Sequence, residues 1–414
     1  MRRKICFVTG TRAEFGLMRS VLQAIVDHGA LQLQLIATGM HLDRSRGRSL
    51  DLIGQEGWKL DAVVPWNRGD GSQRAAAVAT GKAIAAMAGC FERLRSDIVL
   101  VVGDRVEAFA AASAAHISGR LLAHVHGGDR ALGLVDDSLR HAITKLTHVH
   151  FPATRQSAER LARLGEDRWR IFRSGSPGLD QITRHAAPWS EVTGQCPGLI
   201  RRRYALLLWH PQTPIDRQER RSAQLLLKSV RSVGFDHVVI IYPNNDPGSE
   251  GIARCWDDLP DDPHVIRRRD LPRAVFLGLL RDAAALVGNS SSGIIEAQSF
   301  GTPVLDVGSR QAGRERGQNV AHAELEDFSQ SCSVRSTPDR LAGLLASRVS
   351  RATKVKNALD QRQIGAMLRK IWNAGRPIRH ARRNIYGTGA AGPRIARVLA
   401  DVDHCQFLPK LIAY

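Results

Sequence analysis

The chain has 414 residues, 59 Lys plus Arg against 40 Asp plus Glu, a formal charge of +19 and 43% apolar residues. That length holds two or three domains with real cores, and the longest apolar runs, 98–102 and 204–209, are strand-length, too short for a bilayer span or a signal-peptide core. A soluble cytoplasmic protein is therefore the expectation. Cys6, Cys90, Cys196, Cys255, Cys332 and Cys405 are scattered, with no CxxC and no histidine cluster, so neither a disulfide framework nor a metal site is signalled. A positive field attracts polyanions, yet the arginine-rich segments at 44–48, 201–203, 267–269 and 379–383 lack interleaved aromatics or a nucleic-acid module. The expectation is no nucleic-acid partner and no membrane partner, with small phosphorylated ligands still open.

In chain order, β-rich runs at 5–9, 33–38, 98–102, 121–125 and 149–153 alternate with helical stretches such as 13–28 and 107–118. The series restarts at 204–209, 237–242, 264–267, 284–287 and 303–307. Alternation of this kind predicts parallel α/β architecture in two Rossmann-like domains. The run 174–178 and the polar stretch 185–198 read as linker and hinge. The stretch 353–399 reads as helices broken near Pro377 and at 387–393. The expected division is 1–178 for a first domain, 179–380 for a second, and 381–414 for a C-terminal helix returning to the first. Open α/β folds bind ligands beyond the carboxyl ends of their strands.

Polar residues collect at those ends. After the first strand, Gly10-Thr-Arg-Ala-Glu-Phe-Gly16 enters a helix whose N–H groups, with Arg12, suit a phosphate. It lacks the spacing of a dinucleotide loop or a P-loop, which disfavours NAD and ATP. The third strand leads to Gly103-Asp-Arg105 and the fourth to His124-Val-His-Gly-Gly-Asp129. Asp104 reads either as a helix cap or as an acid/base carboxylate, and His126 either as a backbone-bonded strand-end residue or as a proton carrier. In the helix that follows, i, i+4 spacing sets Asp136 opposite Arg140 and Asp137 opposite His141. With Asp104, His126, Asp129, Asp136 and His141 all inside 104–141, an acid/base site is favoured over a merely ion-paired surface helix. In the second half, strands run into His210-Pro211, into Pro243-Asn244 and into Gly288-Asn-Ser-Ser-Ser-Gly-Ile-Ile-Glu296, followed by Arg310 and Arg314. The serine-rich helix start suits a diphosphate and Glu296 a ribose diol, or else the segment is a capped helix with a packing glycine.

The motifs Gly10-Thr-Arg-Ala-Glu, Thr38-Gly-Met-His41, Gly103-Asp-Arg105, Asp136-Asp-Ser-Leu-Arg-His141, His210-Pro211, Gly288-Asn-Ser-Ser and Gly301-Thr-Pro303 occur in an order that resembles the UDP-N-acetylglucosamine 2-epimerases, specifically their hydrolysing branch. The match runs from about Lys4 to Asn319, with an echo at Asn384-Ile-Tyr-Gly387. The resemblance implies a GT-B-like α/β fold of two Rossmann-type domains with an interdomain cleft, no metal or organic cofactor, and a homodimer or homotetramer. It also implies conversion of UDP-N-acetylglucosamine and water to N-acetylmannosamine and UDP. Carried over by motif, Asp104 and Asp136 are acid/base carboxylates with Asp137 close by. Arg105 and His141 shape the sugar pocket, and Arg140 and His41 bind substrate. Arg12, His210 and Arg314 neutralise the diphosphate, with Arg310 as further charge and Asn244 binding substrate. Ser290, Ser291 and Gly293 hold phosphate, Glu296 the ribose, and Phe276 lies near the uracil.

One departure matters. Where the family pattern reads His-x-Glu-Gly-Gly-Glu, this chain has His124-Val-His126-Gly-Gly-Asp129, with one residue inserted before Asp136. His126 or Asp129 then replaces a catalytic glutamate, or the change marks a modified UDP-sugar substrate. Glycosyl transfer on the same fold is the remaining alternative.

Overall fold

A computed structural model describes residues 2–42, 49–66, 72–130, 136–243, 246–269, 271–324, 361–373 and 376–411. The chain forms two compact units. The first takes in Met1–Ile182, Gly313–Glu315 and Arg383–Tyr414, and the second Thr183–Ala312 and Arg316–Arg382.

The first unit is built on β1 (Arg3–Thr9), β2 (Leu31–Ala37), β3 (Ala62–Val63), β4 (Ile98–Val102), β5 (Leu121–Val125) and β6 (Val149–Phe151). They form a parallel sheet in the order β3-β2-β1-β4-β5-β6. β4 and β5 are buried along their whole length, which is why β4 reads as an unbroken apolar run and β5 as one interrupted only by His124. The helix Arg12–Asp27 covers one face through Phe15, Met18, Val21, Leu22 and Ile25, at helical spacing. The helices Gln73–Leu94 and Val106–Ile117 cover the other, the latter so rich in alanine that it packs closely on both sides.

The helix Ala391–Asp401 belongs to this unit too. Asp180 accepts from the N–H groups of Ala391 and Gly392 at 2.7 and 2.6 Å, and Arg3 donates to the carbonyls of Leu399 and Ala400 at 2.7 Å. Pro393 was expected to break this segment, but it lies within the helix's first turn, where its missing N–H costs nothing.

The second unit repeats the order. β7 (Tyr204–Leu208), β8 (His237–Ile241), β9 (Val265–Arg268), β10 (Ala285–Gly288), β11 (Val304–Val307) and β12 (Val320–Ala323) are parallel, arranged β12-β11-β10-β7-β8-β9. Both sheets thus have the Rossmann strand order, with its topological switch beside the first strand of each unit. This is the GT-B-like α/β class expected from the sequence. β3 and β12 were not expected: one is two residues long, and the other carries the polar His322 in mid-strand.

No described helix is long and apolar enough to cross a membrane. Cys6, Cys90, Cys196 and Cys255 are buried free thiols and Cys405 an exposed one, while Cys332 lies outside the described residues.

Candidate active site

In the first unit the parallel strands bring their carboxyl ends to one edge. Arg140, on the helix Asp136–Leu146, is the hub there, with a buried side chain. Its guanidinium pairs with Asp104 beyond β4, donates to Asp137 Oδ1 at 2.7 Å and donates to the Asp129 carbonyl at 2.8 Å. Burial, together with the nearby Arg314 and Arg160, lowers its pKa to about 10, still cationic at neutral pH.

One reading of this segment changes accordingly. Asp104 is not a helix cap: the cap position is Arg105, which makes no side-chain capping bond, and Asp104 Oδ2 pairs with Arg140. Arg140 pairs with Asp137 at i, i+3 spacing, whereas the Asp136 side chain, expected opposite it, lies outside the described residues. His141 is half exposed, with Nε2 3.9 Å from Asp137 Oδ2, the pairing expected.

His126 follows β5 in the left-handed region, φ 65°, a conformation histidine tolerates better than most side chains. Its Nδ1 lies 2.8 Å from Asp129 Oδ2 and its Nε2 3.1 Å from Ser176 Oγ. Asp129 Oδ1 accepts from Ser157 Oγ at 2.7 Å. Burial alone would raise the Asp129 carboxyl, but His126, Ser157 and Arg314 together hold it below the ordinary carboxylate range. The tight turn depends on Gly128: φ is 76°, and a Cβ there would stand 2.3 Å from the Ser157 carbonyl oxygen. His124 is a different case: buried in β5, with Nε2 2.7 Å from the Gly103 carbonyl, its pKa falls to about 3 through burial and it stays neutral.

The loop after β1 differs from expectation. The Gly10 N–H, expected free for phosphate, donates to Glu14 Oε2 at 2.8 Å, and the Glu14 N–H to Thr11 Oγ1 at 3.2 Å. Arg12 is exposed at the first turn of its helix. Beside the loop, Arg105 makes a forked contact with the buried Glu107 at 3.2 and 3.3 Å. His41 is buried with Nε2 3.0 Å from Thr9 Oγ1, and burial lowers its pKa to about 4. Glu14 and Glu107 went unread. The signal for Glu107 was there: a lone carboxylate opening a helix that is otherwise nearly all alanine and apolar.

In the second unit the strand ends are held mainly through the backbone. His210 N–H donates to Asn289 Oδ1 and Asn289 Nδ2 to the His210 carbonyl, both at 2.8 Å, tying the end of β7 to that of β10. Gly288 is required: φ is 135°, and a Cβ would stand 1.8 Å from the Leu208 carbonyl oxygen. Glu219 organises the loop after β7, accepting from Trp209 Nε1 and from the N–H groups of Gln212 and Thr213. Ser290 caps the short helix Ser291–Ile295 by accepting from the Ser292 N–H, and Gly293 packs against Val304.

Glu296 follows with one oxygen on Arg273 at 2.6 Å and the other, Oε2, buried without a hydrogen-bond partner. Arg310 donates to the Asn289 carbonyl at 3.3 Å and lies 3.8 Å from Asp246. Phe276 is half-buried on the helix Arg273–Asp282, and Asn244 lies outside the described residues. Arg314, only four residues from Arg310, falls in the first unit beside Asp129 and Arg140, and its Nε is buried without a partner. Among the described residues no cluster of three or more His, Cys, Asp or Glu is placed to hold a metal ion.

Residues 23–329 match the family model described as UDP-N-acetylglucosamine 2-epimerase. The chain belongs to that family. Within it, the chain belongs to the hydrolysing branch. It is similar to the hydrolysing UDP-N,N'-diacetylbacillosamine 2-epimerase of Legionella pneumophila, at 37% identity over 78% of this chain and 86% of the relative. It is also similar to a UDP-N-acetylglucosamine 2-epimerase of Neisseria meningitidis, at 35% identity over 81% and 88%. Among solved structures, a UDP-GlcNAc 2-epimerase from Neisseria meningitidis bound to UDP-GlcNAc superimposes with a TM-score of 0.72 at 18% identity, covering 96% of this chain and all of that one. That last likeness speaks for the fold. This family member is therefore a UDP-sugar 2-epimerase by descent.

Proposed function

We propose that this epimerase converts UDP-N-acetylglucosamine and water to N-acetylmannosamine and UDP. The observation that carries the reading is the meeting of Asp104 and Asp137, 33 residues apart in sequence, on the single buried guanidinium of Arg140. Inversion at C2 requires a base to remove the C2 proton as the C1–O bond breaks and UDP departs, leaving an enol-ether glycal. Water then adds at C1 while a proton returns to the opposite face of C2. Atoms and charge balance with no redox step. Two carboxylates held at fixed positions supply the base and the acid, and positional fixing is what makes such groups effective.

In this reading Asp104 and Asp137, with Asp136 at the head of the same helix, carry the protons. Arg105 and His141 contact the sugar, while His41 is a buried support for that edge. The first unit also offers Arg12 and Arg314 as positive groups for the departing diphosphate. The second unit holds the nucleotide: Ser290, Ser291, His210 and Arg310 serve the diphosphate, and Glu296 accepts from the ribose. The unpartnered, buried Glu296 Oε2 supports this last role, because such an oxygen is costly unless a donor fills it. Phe276 offers a half-buried aromatic face to the uracil.

A second substrate is favoured by one specific observation. The relative at 37% identity is named for a diacetamido sugar. A proton NMR time course in deuterated water, run separately with UDP-N-acetylglucosamine and UDP-N,N'-diacetylbacillosamine, tests both. The expected result is UDP plus a free 2-epimer carrying deuterium at C2. A 2-epimer still linked to UDP would overturn hydrolysis, and a product with no C2 deuterium would overturn epimerisation in favour of simple transfer. Turnover of only the diacetamido substrate would replace the proposed sugar.

A further inference from the structure

The polar chain behind Arg140 is longer than the proton chemistry requires. It starts at Ser176, 1% exposed, in the segment whose sequence reads as linker. Ser176 Oγ meets His126 Nε2, and His126 Nδ1 meets Asp129 Oδ2. Asp129 in turn receives Ser157 on its other oxygen and Arg140 on its carbonyl. The Ser176 N–H is itself fixed, donating to the Tyr386 carbonyl at 2.7 Å, while Tyr386 Oη donates to the Glu315 carbonyl at 2.9 Å. Exposure rises along the chain: the His126 and Asp129 side chains are 10% and 13% exposed, Asp104 and Asp137 24% and 33%. The open ends are the two carboxylates.

To act directly on the substrate as general acid or base, His126 would have to offer it a ring nitrogen, and in the structure both of its nitrogens meet protein groups. A hydroxyl is an equally good partner for either form of the ring, accepting from Nε2–H or donating to bare Nε2. We propose that Ser176 and His126 are positioning residues. They hold Asp129 and the 126–129 turn where the Asp129 carbonyl orients Arg140, and thereby set Asp104 and Asp137 at the reacting carbon. The His126 imidazole is a strut rather than the proton carrier. The inference rests on the epimerase reading above. Other charged groups facing this chain are Arg160, Arg314 and Glu315, and the neutral His124 lies beside it.

The test uses Ser176→Ala, His126→Gln and the double variant of the full-length protein, each checked for folding by near-ultraviolet circular dichroism. Misplacement of the reacting groups costs about 10–100-fold in kcat. The double variant should lose no more than the worse single one, since residues acting as a unit are non-additive. Both limbs of the pH profile should survive in His126→Gln. A loss above about 1,000-fold in His126→Gln, disappearance of one limb, or additive losses would overturn the proposal and make His126 catalytic. Histidine-selective nitrogen NMR gives a readout free of turnover: Ser176→Ala should shift Nε2 of His126. Turnover with an unmoved Nε2 resonance would sink this inference alone, whereas a shifted resonance with no turnover of either UDP-sugar would sink the epimerase reading beneath it.

Discussion

The strand ends of the two units solve different problems. In the first, charged groups satisfy one another: Arg140 holds Asp104 and Asp137, Asp129 holds His126, and Arg105 holds Glu107. In the second, the backbone is locked through Asn289, Gly288 and Glu219, but Glu296 keeps a buried oxygen with no partner. A site that moves protons must fix its charges before the substrate arrives, because reorganising them at the moment of reaction would add to the barrier. A site that grips a nucleotide can instead leave a group unsatisfied, since the ligand's own hydroxyls complete it. The contrast predicts that damage to the first unit falls on kcat and damage to the second on KM.

The largest effect should come from Arg140→Met. It leaves Asp104 and Asp137 without their cation in a partly buried place, and removing one partner of a buried pair costs about 3–5 kcal/mol. The expected outcome is a drop in Tm together with loss of more than 1,000-fold in kcat, the upper part of the range for acid–base groups, about 100–10,000-fold. A variant with wild-type kcat would remove the hub from the mechanism. Glu296→Gln is the counterpart in the second unit and should be smaller. An amide offers the ribose a weaker acceptor and loosens Arg273, so KM for the UDP-sugar should rise about 10-fold, near 1.4 kcal/mol, with kcat changed little. Steady-state kinetics decide it, and a kcat defect at unchanged KM would break the division between the units.

Much of the scaffold is legible because burial on both faces writes a strand as a nearly uninterrupted apolar run. The spans 98–102 and 121–125 match β4 and β5 residue for residue. The two-residue β3 carries no such signal. At the site, the candidate types were legible but their partners were not. Asp104 reads locally as a cap, because nothing within a turn of it announces an arginine 36 residues on. Ser176 reads as linker for the same reason: it meets His126 across 50 residues only because β5 and β6 lie side by side and the chain beyond β6 folds back along them. Spacing on a helix predicts neighbours on that helix, as with Asp137 and His141, whereas contacts made through sheet order need the topology first.

The smallest predicted effect concerns Glu14, where the first unit departs from its own pattern. Its carboxyl is pushed up to about 7, chiefly by burial and further by the nearby Glu107, against the pull of Arg105 and the Gly10 N–H. The unfolded chain releases that proton near its ordinary value of 4.5, so between about 4.5 and 7 the native state holds a proton that the unfolded state has lost. Stability from this group is complete below 4.5 and drains away as pH rises through 7. Glu14→Gln keeps an acceptor for the Gly10 N–H but cannot ionise, so it abolishes that slope. At pH 4, below both values, the variant and the parent should melt together. At pH 8, where the parent carries a charge in a buried place, the variant should melt a few degrees higher, about 2–4 °C for each kcal/mol relieved in a protein of this kind. Melting curves that stay parallel from pH 5 to pH 8 would show that Glu14 is already ionised through that range. The β1 loop would then be a neutralised ion cluster of the same kind as the Arg140 hub, and the contrast between proton-holding and charge-holding carboxylates within this unit would disappear.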